Sequence, residues 1–317
     1  MQLNKIFDTL VIGGGPAGIA AAMALGRACR TVALFDSQEY RNEGVPMMHN
    51  VVRHDGEKPE IYRSAAVEDI MKKYETITFI DTCITTARHV DGERRPFFEI
   101  TNDKGVVWTG WKLVLATGTK DILPDIKGYK ELWGHGIVHC LFCHGYENRG
   151  GHVGVLGFES AKELDPVLMA FPLSRDRVTV FTNGVSTAAD SEVQEARAIA
   201  AARGARFDDR VIESISANPG SVGIRLHFEE GPDEHLRMLL SNPPTVNRAA
   251  NIIKSLGLET NTGPDNHVVT KSPLGETNLR GCFVAGDTST PAKAVSVALA
   301  FSRVGFQSRW LQDHSLE

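Results

Sequence analysis

The chain has 317 residues, 42% of them hydrophobic and 23% charged, with a formal net charge of −5. That length suggests about two domains of roughly 150 residues, the composition excludes a disordered or collagen-like chain, and without a basic field nucleic acid is not an expected partner. No apolar run approaches the roughly 18 residues of a membrane helix. The first residues show no basic region, long apolar stretch or cleavage site, so the expected compartment is the cytoplasm, with no membrane partner. Structural disulfides are rare there, and the five cysteines read as thiols unless a pair is catalytic.

The first 36 residues read as a βαβ unit. Thr9–Ile12 is a short apolar strand, Gly13-Gly14-Gly15-Pro16-Ala17-Gly18 a turn, Ile19–Ala28 a helix rich in Ala, Leu and Met, and Thr31–Phe35 a second strand ending at Asp36. Gly13-x-Gly15-x-x-Gly18 suits a dinucleotide: the first glycine makes the turn, the second admits a pyrophosphate, and the third lets helix and sheet pack closely. The start of the helix offers free N–H groups to phosphate. Asp36, at a strand end 18 residues past Gly18, is placed to accept from ribose hydroxyls. The alternative is a plain glycine-rich turn; strand, helix and acid in order favour a nucleotide.

Residues 77–117 hold five short β runs, Ile77–Ile80, Cys83–Ala87, Phe97–Thr101, Val106–Thr109 and Leu113–Ala116, with a hairpin turn at Asn102-Asp103-Lys104-Gly105. They predict a small antiparallel meander. After a loop over Thr119–Gly128 a second βαβ pattern follows: strand Val153–Leu156, helix Ser160–Met169, strand Val178–Phe181 and helix Ser191–Arg203. Leu240–Pro244 suggests a return crossing, Cys282–Ala285 a buried strand ending at Gly286-Asp287, and Ala292–Gln312 a final helix.

The most specific feature is His139-Cys140-Leu141-Phe142-Cys143-His144-Gly145-Tyr146-Glu147. A Cys-x-x-Cys pair in a cytosolic chain is redox-active, metal-binding or structural. Zinc would want a second ligand pair; His135, His139 and His144 could complete a site, but no second Cys-x-x-Cys exists, and a c-type haem site would want an export signal. The redox dithiol remains, with His139 and His144 placed to hold protons and stabilise a thiolate. His135 reads as a surface or turn residue.

In order, the glycine fingerprint, β-meander, Ala116-Thr117-Gly118, Cys-x-x-Cys, and Gly286-Asp287 before a helix resemble the low-molecular-weight thioredoxin reductases over nearly the whole chain. Cys140-Leu-Phe-Cys-His-Gly-Tyr-Glu147 further resembles the fungal dithiol oxidases related to the gliotoxin and holomycin enzymes. The resemblance implies an α/β fold of two Rossmann-like three-layer domains, with residues 1–119 and 244–317 binding FAD and 120–243 forming an NADPH-domain-like module that carries the Cys-x-x-Cys. It implies FAD contacts from Gly13, Gly15, Pro16, Ala17, Gly18, Asp36, Ser37, Asn50, Thr117, Gly118, Gly286, Asp287, Ala294 and Val295. Cys140 becomes the substrate-facing sulfur, Cys143 the flavin-proximal one, and His144, aided by His139, the base. The implied partners are a small-molecule dithiol, O2 and a second copy of the chain in a homodimer.

The chain departs from the reductase pattern at the second nucleotide turn. Leu156-Gly157-Phe158-Glu159-Ser160-Ala161-Lys162-Glu163 keeps one of three glycines, with Leu156 and Phe158 expected to crowd the place of the pyrophosphate, and Thr182-Asn183-Gly184 supplies no cation for a 2′-phosphate. Loss of an Arg–phosphate pair costs on the order of a few kcal/mol, so NADPH binding is doubtful. The expected activity is oxidation of a dithiol through the Cys140–Cys143 disulfide with O2 reduced to H2O2, the alternative being an NADPH-dependent thioredoxin reductase.

Overall fold

A computed structural model describes residues 6–93, 95–185, 190–261 and 266–290, excepting the side chains of residues 175 and 176. Strand β1 (Ile6–Ile12) is apolar almost throughout because both its faces are covered. Leu10 and Ile12 pack with Phe35, Leu113 and Leu115 on one side; Val11 packs with Leu34, Val114, Ile19 and Leu25 on the other. Such doubly covered parallel strands read as continuous apolar runs, and each fully buried Leu or Ile contributes roughly 1.5–3 kcal/mol. Helix α1 (Pro16–Arg27) covers the second face, and β2 (Val32–Asp36) lies parallel to β1. Helix α2 (Pro59–Lys73) has no counterpart in the sequence reading: only Pro59 and Ile70 are buried, so it shows little apolar periodicity.

The meander is smaller than the sequence suggests. Strand β3 (Ile77–Asp81) runs parallel beside β2 and is not part of it. The antiparallel strands are β4 (Ile84–Val90), β5 (Phe97–Asn102) and β6 (Val107–Leu115). The two runs read at 106–109 and 113–116 are one strand, β6, which pairs with β1 from Thr109 onward. It reads as two because its neighbour on the other side changes, β5 over Val107–Gly110 and a later strand beside Leu113–Leu115. Strand β7 (Thr119–Asp121) ends this part.

The second unit opens with α3 (Tyr129–Leu132), β8 (Ile137–Val138) and α4 (Leu141–His144). The βαβ pattern follows as β9 (Gly151–Leu156), α5 (Leu164–Ala170), β10 (Ser174–Phe181), α6 (Ser191–Ala202) and β11 (Arg206–Asp208). Helix α5 starts later than expected, after a 3-10 turn over Ala161–Glu163; Pro166 lacks an amide to donate to the carbonyl four residues back. Strands β12 (Ile212–Ala217), β13 (Ile224–Phe228) and β14 (Glu234–Leu236) form an antiparallel sheet that the sequence reading left out. Strand β15 (Met238–Ser241) completes a parallel sheet of order β11-β10-β9-β15-β8. Val153, Val155, Val178 and Val180 face α5 and α6; Phe181 and Leu239 face the antiparallel sheet.

The chain then returns to the first unit. Strand β16 (Thr245–Asn247) pairs antiparallel with β7, α7 (Ala250–Ser255) buries Ile252 and Ile253 beneath the first sheet, and β17 (Cys282–Val284) lies parallel beside the end of β6.

The units are residues 1–43, 59–121 and 245–317, and residues 44–58 and 122–244. The β7–β16 pairing keeps Lys120 and Asp121 in the first, slightly past the expected boundary. Residues 44–58 depart further from the expected division: they pack with the second unit, where the Asn50 amide donates to the Phe142 carbonyl at 2.7 Å. The final helix expected over 292–312, with Ala294 and Val295, lies outside the described residues. Among the described residues no helix is long and apolar enough to cross a membrane.

Candidate functional site

In the first unit three turns meet at the carboxyl ends of β1, β6 and β17, the position where open parallel sheets bind nucleotides. Gly13, at φ +116°, and Gly18 are packed against one another: a Cβ on Gly18 would stand 1.8 Å from the Gly13 carbonyl oxygen. Nothing lies within 4 Å of the position a Gly15 Cβ would take, so the turn is open there. Helix α1 begins at Pro16 with no side-chain cap and no acid in its first turn. The amides of Ala17 and Gly18 therefore face outward for an anion. Gly286 comes close to Ala17, and Thr288 ties the two other turns together: its hydroxyl accepts from the Gly118 amide at 2.9 Å and lies 3.3 Å from Thr117 Oγ1.

Asp36 lies over Gly14, whose Cβ would meet the carboxyl at 2.2 Å. One oxygen accepts from the Gln38 amide at 2.9 Å and the other from the Tyr40 hydroxyl. A carboxylate has about four lone-pair sites, so capacity remains for a ribose. Burial first, then Asp36, pushes the Tyr40 hydroxyl well above its ordinary pKa. Ser37 is exposed. Asp287 is not a bare carboxylate: Arg41 Nη1 donates to it at 3.0 Å while Arg41 Nη2 and Nε hold Asp121 at 2.7 and 3.1 Å. Burial works against the Arg41 charge, and Asp121 with Asp287 outweighs it, leaving its pKa raised. Tyr40, Arg41 and Thr288 escaped sequence reading because they sit outside the glycine fingerprint.

The second nucleotide turn repeats one backbone feature of the first. The Gly157 amide donates to Phe181 at 2.9 Å as the Gly13 amide does to Phe35 at 2.8 Å. The expected crowding by Phe158 is corrected: its ring is 2% exposed and packs edge-on against Phe207 at 5.3 Å, because the apolar core outcompetes the open turn. A carboxylate stands in the turn instead. Glu163 accepts from the amides of Glu159 and Ser160, and burial raises its pKa against those two bonds. Thr182 donates to Asp209, which is also held by Arg197 (3.0 Å), and Arg210 pairs with Asp208 at 2.6 Å.

In the second unit Cys140 and Cys143 form a disulfide, Cα atoms 5.2 Å apart. Cys140 caps α4, its sulfur accepting from the Cys143 amide at 3.1 Å. Leu141 anchors the turn in the core, and Gly145 closes it where a Cβ would strike the Leu141 carbonyl at 2.4 Å. Phe142 and Tyr146 are exposed, 73% and 66%. His139 stacks on Trp133 at 5.8 Å, and His135 is exposed. Both ring nitrogens of His144 are shielded from solvent and have no hydrogen-bond partner among the described residues. Burial first, then His139 and His49, hold its pKa down to about 4, with Glu147 opposing. The side-chain amide of Asn50, named among the expected FAD contacts, donates to the Phe142 carbonyl. His49, far upstream and unmarked in the sequence, meets the His144 ring edge to face at 6.2 Å.

Residues 7–301 match the family model described as pyridine nucleotide-disulphide oxidoreductase. The chain belongs to this family. The oxidoreductase is 36% identical over 314 residues to "Thioredoxin reductase tcpT" of Claviceps purpurea, covering 97% of this chain and 94% of that protein. It is 36% identical over 320 residues to "Thioredoxin reductase sirT" of Leptosphaeria maculans, covering 96% and 94%. Among solved structures, it matches an oxidoreductase from Agrobacterium tumefaciens with TM-score 0.86 and 30% identity, over 98% of this chain and 100% of that one. The fold is therefore the thioredoxin reductase type with two Rossmann-like units, as the sequence resemblance implies. The family implies a flavin, FAD, as cofactor, and the open turn at Gly15, the uncapped start of α1 and Asp36 fit it.

Proposed function

We propose that this oxidoreductase is an FAD-dependent dithiol oxidase. It closes an intramolecular disulfide in a small-molecule dithiol of the epidithiodiketopiperazine type and reduces O2 to H2O2. The observation that carries the reading is the state of the second nucleotide turn: its amides serve Glu163, and Arg197 and Arg210 serve Asp209 and Asp208. NADPH would have to displace these acids, whereas the disulfide stands beside an unpartnered imidazole.

The chemistry follows from the side chains. A substrate thiol gives its proton to His144. The thiolate attacks Cys140, the Cys140–Cys143 bond breaks, and Cys143 leaves as a thiolate. The second substrate thiolate then attacks the sulfur bound to Cys140 and closes the product ring. The Cys140/Cys143 polarity follows the family resemblance. FAD, which the Gly13–Gly18 turn and Asp36 would hold, would supply the acceptor for the electron pair of the reduced cysteines and its transfer to O2. The exposed rings of Phe142 and Tyr146 give an apolar ring compound surface to lie on. The working form is a homodimer in the cytoplasm.

The relatives' printed names favour a second reading, NADPH-dependent thioredoxin reduction. One anaerobic titration of the yellow protein separates the two. In the oxidase reading NADPH leaves the flavin oxidised, a small dithiol bleaches it, and air restores it with about one peroxide per disulfide, as two-electron chemistry requires. Bleaching by NADPH within the turnover time, together with thioredoxin reduction, overturns the oxidase reading.

A further inference from the structure

Both ring nitrogens of His144 are shielded from solvent, so a proton taken there from a bound thiol needs a neighbouring group to carry it outward. His49 stands against it, the two rings at 87° to each other. The His49 side chain is 11% exposed; its Nδ1 lies 3.5 Å from Asp55 and its Nε2 3.7 Å from Glu147, carboxylates that are 68% and 45% exposed. The groups thus run outward from a shielded imidazole, through a nearly buried one, to two carboxylates in water. The segment that carries them is fixed. Asp55 also accepts from the Asn50 backbone N–H at 2.9 Å, the Asn50 side-chain amide holds the Phe142 carbonyl, and the Met48 N–H donates to the Glu57 carbonyl at 2.8 Å.

We propose that His49 is a positioning residue that relays protons for the redox disulfide, receiving the thiol proton held by His144 and passing it to water through Glu147 and Asp55. This rests on the dithiol oxidase reading. The step balances without a cofactor. The substrate S–H bond breaks, the bond from substrate sulfur to Cys140 forms, the Cys140–Cys143 bond breaks with its electron pair going to Cys143, and one proton leaves along the relay. The titratable groups facing the two imidazoles are His139, Glu147 and Asp55. The low basicity of His144, caused by burial and then by His139 and His49, makes its onward loss of a proton easy.

The test reads the proton itself. Oxidised holoprotein is mixed anaerobically with dithiothreitol in weakly buffered solution with a pH indicator, and both proton release and bleaching of the flavin are timed. Relative to wild type, His49→Gln should slow both by about tenfold or more near neutral pH, and added imidazole should restore the rate. Glu147→Gln should give a smaller, equally rescuable slowing. A residue that merely holds the loop would give a loss that buffer bases leave untouched. Wild-type rates in His49→Gln, or slowing that imidazole does not relieve, overturn the relay alone. Failure of dithiothreitol to reduce wild type overturns the oxidase reading, and the relay with it. If His49→Gln does not fold by circular dichroism, Glu147→Gln decides: rescuable slowing supports the relay and its absence overturns it.

Discussion

His144 is a weak base asked to take a proton from a thiol of pKa near 8.5. With its own pKa held down to about 4 by burial and then by His139 and His49, the transfer is uphill by a factor on the order of 10⁴ until the new thiolate and imidazolium attract. His144→Ala should lower dithiol oxidation by about 10²–10⁴-fold, and the loss should shrink as pH rises and thiolate forms unaided. The same depression fixes a stability trend. Between pH 6.5 and about 4 the unfolded chain binds a proton on this histidine that the native chain refuses, so its contribution is full above 6.5 and fades as pH falls through that window. Denaturant midpoints of wild type and His144→Gln across pH 4–7 check this: the wild type should lose more on acidification. His144 was legible from its place beside Cys143. His49 was not, because only the fold brings it to the disulfide.

At the scale of elements, the glycine turn, the parallel strands and the Cys-x-x-Cys turn were readable because each has a local cause: a tight backbone approach, continuous burial, a capped short helix. The errors fall where tertiary neighbours decide. Strand β6 looks like two strands because its partner changes along its length, and α2 is silent because it buries so little. Thr288 joins two turns separated by most of the chain, a link no local pattern marks. Thr288→Val should leave the Gly118 amide without its acceptor, cost about 1–3 kcal/mol in chemical denaturation, and loosen FAD retention on dialysis. Asn50 has φ +66° and holds Phe142. Asn50→Gly should lose only that bond, about 0.5–1.5 kcal/mol, and Asn50→Ala should lose roughly 1–2 kcal/mol more for the left-handed backbone; thermal unfolding of the pair separates the two costs.

At the scale of the molecule, the two Rossmann-like units share their backbone device but differ in what occupies the phosphate end of the turn. FAD added to stripped protein at about 100 times its Kd should stabilise the first unit by about 2.7 kcal/mol, or roughly 5–10 °C in its transition. NADPH at equal concentration should leave both transitions in place. A shift of the second unit by NADPH in differential scanning calorimetry would show that Glu163 yields its amides.

The chain crosses between the units at 43/44, 58/59, 121/122 and 244/245. Exchange of the single block 122–244 between relatives would therefore carry the cysteines and His144 into a new background while leaving His49, Asn50 and Asp55 behind. The short block 44–58 has to be moved with the long one to keep these contacts. A chimaera that takes 122–244 without 44–58 should therefore lose the Asn50–Phe142 bond and the His49–His144 contact, although the two blocks lie more than sixty residues apart in the sequence.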